Sequence, residues 1–176
     1  MIRVWDPFVR AFHWALALSF AVAWLSSETM ERVHDAAGYV AGALVAARIV
    51  WGFVGPGYAR FSEFVRSPAT VLFYLKAMAE GSERRFIGHN PAGGAMIVVL
   101  LAAMAAVVAT GWLLTTDAFW GSTAAQHAHS IVAHGVLLLV FVHLAGVALA
   151  SVRHRENLVQ SMVGGVKRPA EPGDVI

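Results

Sequence analysis

HSIVAHGVLLLVFVH, residues 129 to 143, opens and closes on a histidine inside a run that otherwise reads as lipid-facing. Fourteen helical steps of about 100° bring the second side chain to within about 40° of the first, and a rise of about 1.5 Å per residue separates them by about 21 Å. Both imidazoles therefore look to one side of a helix, at two depths. The run is part of a longer apolar stretch, about 127 to 152, and three others precede it, at about 8 to 27, 34 to 54 and 94 to 115. Each reaches the roughly 20 residues that a helix needs to cross a bilayer core. In lipid an open chain satisfies its own backbone only as helix. The expected fold is all-α, an integral membrane four-helix bundle.

Composition agrees. Of 176 residues 58% are hydrophobic and only 14% charged, and the mean hydropathy is +0.63, outside the range of a soluble domain. Cysteine is absent, which removes disulfides, thiolate metal sites, iron–sulfur clusters and covalent haem attachment. The pI near 9.4 does not indicate nucleic acid, because the basic residues are spread over several interhelical segments and form no single patch. No small-residue cleavage site follows the first apolar run, so that span is expected to stay in the protein.

The span ends carry punctuation. Asp6-Pro7 and Asn90-Pro91 each place a capping side chain before a proline suited to a first helical turn. With the N-terminus cytoplasmic, that side collects Arg3, Arg10, Arg60, Arg66, Lys76, Arg84, Arg85, Arg153, Arg155, Lys167 and Arg168, and the opposite side keeps Arg32. The excess of positive charge predicts cytoplasmic N- and C-termini. Between the second and third spans, Ser67, Pro68 and the spacing of Val71, Leu72, Leu75 and Met78 predict an interfacial helix over about 68 to 80. Residues 1–168 are expected to form one membrane domain, and the Pro, Gly and charge content of 169–176 predicts a disordered tail. The six tryptophans fall mostly near span ends and read as membrane-interface anchors.

Five of the eight histidines, His13, His34, His129, His134 and His143, lie in or at the edge of the apolar spans. An imidazole in a bilayer needs a partner. In this topology His34 and His129 share the outer level, and His13 and His143 share the cytoplasmic level. Two facing imidazoles at each of two levels make two sandwiches into which flat porphyrins can slide, and neutral imidazole is an axial ligand of haem iron. A structural zinc would need three or four ligands converging on one ion, which this spacing forbids. His127 is sixteen residues from His143 and falls on nearly the opposite face, and His134 lies about 140° round the helix from His129, so both are read as helix-edge or helix-contact residues. Arg48, fourteen residues after His34, returns to the same side at the cytoplasmic level. It can pair with a haem propionate or reach up to the headgroups. Gly38, Gly42, Gly135 and Gly146 can admit a macrocycle or serve ordinary close packing of membrane helices.

Taken together, VWDPFVRAFHW, HDAAGYVAGALVAARIVWGFVG, GHNPAGGAM, the histidine pair followed by GVALAS, and RHRENLVQSMVGGVKR resemble the bacterial cytochrome b561 family, which includes the b-type cytochrome subunits of nickel–iron hydrogenases. The resemblance extends to about residue 168. It implies a four-helix membrane cytochrome with two b haems, one near each face, exchanging electrons between the quinone pool and a redox partner. Matched by motif, the ligands implied are His13, His34, His129 and His143, the four that spacing selects. The chain departs from many members at the start of the fourth span, where they carry His-Glu and then Ala-Asn and it has His129-Ser130 and Ala133-His134.

The function expected is transmembrane electron transfer through two haem b groups in the bacterial cytoplasmic (inner) membrane, with quinone as exchangeable substrate and quinone oxidoreductase activity at one face. No catalytic residue is assigned; His89 reads either as a proton acceptor for the quinone or as ordinary cap-region polarity. The short outer loops require an external partner, for which a periplasmic c-type cytochrome or a hydrogenase-like enzyme fits, with superoxide as an alternative oxidant. A homodimer is compatible with all of this. Two other classes stand beside it: a haem-bearing membrane anchor of a hydrogenase-like or other dehydrogenase complex, and a transporter whose histidines relay protons or metal ions.

Overall fold

A computed structural model describes residues 1–176. It is mostly helical, with α1 Pro7–Ser26, α2 Glu31–Val54, α3 Phe61–Phe64, α4 Pro68–Glu80, α5 Pro91–Leu114, α6 Thr123–Arg153 and α7 Leu158–Gly164. Helices α1, α2, α5 and α6 are long and apolar enough to cross a membrane, and the protein is an integral membrane protein. A 3₁₀ turn at Gly57–Ala59 and two short strands complete the inventory; β1 Ile2–Arg3 and β2 Val166–Lys167 pair antiparallel, with Ile2 opposite Lys167 and Arg3 opposite Val166. The first and last parts of the chain thus meet, a pairing that two-residue strands give no sequence period to announce.

The helix starts follow their caps. Asp6 Oδ1 accepts from the Phe8 and Val9 amides at 2.9 and 3.1 Å, and Asn90 Oδ1 accepts from Gly93 N–H at 2.6 Å. Each satisfies donors that a first helical turn leaves open, ahead of a proline that has none to satisfy. Ser67 Oγ likewise accepts from Thr70 N–H at 3.3 Å, and α4 ends on Gly81 in the left-handed conformation.

The chain forms two compact units. One comprises Met1–Arg10, Val50–Val99 and His143–Ile176 and the other Ala11–Ile49 and Leu100–Val142. In the second, all four spans share a core: Ala41 and Val45 of α2, Met104 of α5 and Val136 of α6, with Leu16 and Phe20 of α1 against them. Gly42 permits close approach there, since a Cβ would come 2.9 Å from Val108 Cγ1.

The unit holding both termini is built on Val4, Trp5 and Ile87, with Tyr58 and Met162 packed on them. Trp5 is not a membrane-interface anchor: it is 6% exposed, its indole N–H donates to Ser161 Oγ at 3.3 Å, and the Lys167 ammonium lies 5.3 Å from its ring centre. Residues 169–176, whose composition suggests a disordered end, follow a defined path. Val175 N–H donates to Arg85 O and accepts, through its carbonyl, from Ile87 N–H, both at 2.9 Å, and Asp174 pairs with Arg85. The cause is a charge partner about 90 residues away, which local composition does not contain.

Gly94 shows how tightly this unit is fitted. A Cβ there would lie 2.4 Å from the Phe64 carbonyl oxygen, a backbone atom that cannot swing aside. Gly94→Ala is expected to destabilise the protein by about 1–3 kcal/mol through overpacking, seen as an earlier thermal transition in detergent. Gly146→Ala, where no atom lies within 4 Å of the new Cβ, serves as the control and should leave it in place.

Candidate functional site

His34, near the start of α2, and His129, in the second turn of α6, meet. Their ring centres are 6.1 Å apart and their planes are perpendicular, at 86°. Both are half-buried. His34 Nδ1–H donates to the Ala23 carbonyl of α1 at 2.8 Å. A carbonyl only accepts, so Nδ1 carries the proton and Nε2 keeps its lone pair. His129 Nδ1 lies 3.1 Å from Thr110 Oγ1 of α5. The Thr110 hydroxyl is also 2.9 Å from Ala106 O and 3.0 Å from Val107 O. With its single proton given to its own helix, its oxygen accepts from His129 Nδ1–H, and that ring too keeps Nε2 open. All four spans therefore contribute to this pair, two with the imidazoles and two with the groups that orient them.

Such a pair suits an axially ligated haem. Two imidazoles gripping one metal through bonds of about 2 Å would hold their ring centres about 6 Å apart, in agreement with the observed 6.1 Å. Gly38 stands one turn below His34 on the same face, and no protein atom lies within 4 Å of a Cβ built there, so a side chain in place of its hydrogen would occupy space beside the imidazole. No group of three or more histidine, aspartate or glutamate side chains suited to a metal ion is present.

The other candidates are distributed as follows. His13, in α1, is half-buried and packs edge-on against Trp14 at 5.1 Å. His143, in α6, is also half-buried. The two fall in different compact units. Arg48 is 3% exposed; an arginine reaching to the headgroups would keep its guanidinium in water, so that reading is set aside. His134 is exposed, sends Nδ1–H to the Ser130 carbonyl at 2.7 Å and meets Trp24 edge-on at 5.1 Å. It is a helix-contact residue, and His127 is exposed. His89 sits against two aromatic rings, Trp5 at 4.4 Å and Phe64 at 4.8 Å. Sequence reasoning did not single out Thr110 and Gly111, beside His129. The signal was available, because Thr110 is the only hydroxyl in the otherwise apolar α5.

Comparison with known proteins gives the family. The family model for prokaryotic cytochrome b561 matches residues 4–165. The probable Ni/Fe-hydrogenase B-type cytochrome subunits of Azotobacter vinelandii and Azotobacter chroococcum mcd 1 are each 25% identical, over 93% of this chain and 87% of the relative. The protein of that description from Bradyrhizobium diazoefficiens is 24% identical over 77% of this chain and 65% of its own. No solved structure matches. With the match spanning nearly its whole length, the chain belongs to the prokaryotic cytochrome b561 family, membrane-embedded b-type cytochromes that carry electrons on haem.

Proposed function

We propose that this protein is a di-haem cytochrome of the bacterial cytoplasmic membrane that passes electrons between the quinone pool and a redox partner on the periplasmic side. The observation that carries the reading is the perpendicular meeting of His34 and His129 with both Nδ1 atoms engaged. They would hold the outer haem. His13 and His143 are assigned to the inner haem on helical spacing, and Arg48, buried and fourteen residues from His34, to a propionate. When bound, haem would supply one-electron chemistry, which suits outer-sphere transfer.

The chain's own residues do the rest. Ala23 O and the Thr110 hydroxyl fix the tautomer and orientation of the outer imidazoles, and the apolar spans keep the surroundings at low dielectric. Eleven of the 13 lysines and arginines fall in the unit that holds both termini, and only Arg32 and Arg48 fall in the other. That asymmetry supports a four-helix bundle with cytoplasmic termini. Helix α4, with Leu72 and Phe73 exposed and Tyr74 buried, is assigned to the cytoplasmic interface, and His89, flanked by Trp5 and Phe64, to proton acceptance from a quinol at that face.

Dithionite-reduced minus oxidised spectra of the purified protein, combined with a pyridine haemochrome assay, test the proposal. Two b haems per chain are expected; a single haem would refute the two-level arrangement, and absence of alpha and beta bands would favour a proton or metal transporter. The names of the relatives favour one variant of the same reading, in which the chain is the haem-bearing anchor of a hydrogenase-like enzyme. Recovery of such an enzyme with the tagged protein from mildly solubilised membranes would identify the partner, in place of a c-type cytochrome, and a homodimer would emerge from the same preparation by mass.

A further inference from the structure

Of the two imidazoles of the outer pair, His129 has a side-chain hydroxyl at its Nδ1 edge. His34 gives its Nδ1 proton to a main-chain carbonyl at 2.8 Å, which no side-chain substitution removes. His129 Nδ1 lies 3.1 Å from a side-chain hydroxyl, Thr110 Oγ1, beside a main-chain acceptor, the Val107 carbonyl; of these, the hydroxyl is the one a substitution can remove. The next residue is Gly111, and a Cβ built there would come 3.1 Å from His129 Cε1 and 3.5 Å from Nδ1. Thr110 and Gly111 thus act on the same edge of the same ring. The hydroxyl anchors Nδ1, and the missing side chain at 111 leaves the ring room to lie there with its plane at 86° to that of His34.

We infer that Thr110 and Gly111 form a seat for His129 that sets the ring plane and the donor strength of this imidazole, making Thr110 a positioning residue that tunes the reduction potential of the outer haem. The inference rests on the assignment of His34 and His129 as axial ligands. A histidine that donates Nδ1–H to an acceptor is a more basic ligand at Nε2. A more basic ligand favours the ferric over the ferrous state, so the Thr110 hydroxyl lowers the potential. A hydrogen bond of ordinary net strength corresponds to a factor of about three to ten.

Thr110→Val keeps the branched shape and removes the acceptor. In a redox titration of the purified holoprotein, one of the two haems should be about three- to tenfold more reduced at its wild-type midpoint. At 59 mV per tenfold for one electron, that is a rise of about 30 to 60 mV. The other haem should not move. The low-field g value of the same oxidised haem should shift as the freed imidazole plane turns, and Thr110→Ser, which restores the hydroxyl, should return both readouts toward wild type. Gly111→Ala should move the g value, because the ring is displaced, while leaving the hydroxyl in place.

Two haems with unchanged potentials and g values in Thr110→Val would overturn the inference and leave the ligand assignment standing. Loss of a haem in Thr110→Val without recovery in Thr110→Ser would also overturn it, since packing and not the hydroxyl would then be the requirement. The ligand assignment fails by a different result, the retention of both haems in His129→Ala.

Discussion

His129→Ala is expected to lower the haem content of the purified protein from two per chain to one, with the surviving haem titrating at its wild-type potential. Changing a group that only orients a metal ligand already costs about 10- to 100-fold in affinity, so loss of the ligand itself should exceed about 100-fold. His34→Ala should give the same spectrum. The informative variant is the double one. If both imidazoles serve one iron, removing the second after the first takes nothing more away, and the combined loss falls far short of the sum. His134→Ala, which severs a bond to the Ser130 carbonyl and a contact with Trp24, and His127→Ala, at an exposed position, should each keep two haems. An unchanged haem count in His34→Ala would exclude the pair as ligands however well the rings meet.

Much of this site was legible in the sequence, for reasons that differ between residues. The four spans stand out because a bilayer demands about 20 apolar helical residues, and nothing else in a chain this short produces four such runs. Asp6 and Asn90 mark two helix starts because a capping side chain followed by proline has a fixed local geometry. Hydropathy alone places the last span at about 127, yet α6 begins at Thr123, four residues earlier, with the Ser122 hydroxyl accepting from Ala125 N–H at 3.4 Å; amphipathic helix ends carry polar residues that a hydropathy reading discards. The meeting of His34 with His129 followed from depth, since consecutive spans alternate direction and position along each fixes level. Direction around the helix was not fixed in that way. The perpendicular planes and the Thr110 and Gly111 seat depend on how α5 is rotated against α6, and α5 is so uniformly apolar that, its one hydroxyl at Thr110 apart, its sequence names no inward face. Arg85 was equally hidden, counted only among topology charges, because its partners lie 71 and 89 residues away.

Arg85→Met is expected to release the C-terminal segment and to destabilise the terminal unit by about 3–5 kcal/mol, the cost of leaving buried charge unpaired. Arg85 donates from Nη2 to Glu156 Oε1 at 2.6 Å and from Nε to Oε2 at 3.3 Å, and its Nη1 donates to Asp174. The side chains of Arg85 and Glu156 are 4% and 7% exposed. Burial alone would raise the Glu156 carboxyl, but the bonds from Arg85 and from Arg168 N–H, with the charges of Lys167 and Arg85, hold it below the usual carboxylate range. Asp174 is held low by the Glu171 amide and, against its burial, by Arg85. Groups with depressed folded values contribute stability that is complete above their ordinary pKa and is lost as pH falls through the depressed value, so tail docking should be unaffected at neutral pH and weaken below about pH 4. Lys167 also gives stability that rises with pH, over a higher range, because its charge is penalised by burial. Burial lowers its ammonium to about 8 despite the attraction of Glu156. The penalty for burying that charge is therefore complete below about pH 8 and fades as pH rises toward its ordinary value of 10.5. Hydrogen exchange at the Ile87 and Val175 amides, which close the tail onto the loop, reads the docking directly and should accelerate in Arg85→Met at pH 7. Arg85→Met combined with Glu156→Met should recover part of the loss, because it removes the stranded Glu156 carboxylate, while Asp174 and Lys167 each lose the partner they had. Protection that survives Arg85→Met unchanged would mean that the two backbone bonds and the packing of Ile87 hold the tail without the ion pairs.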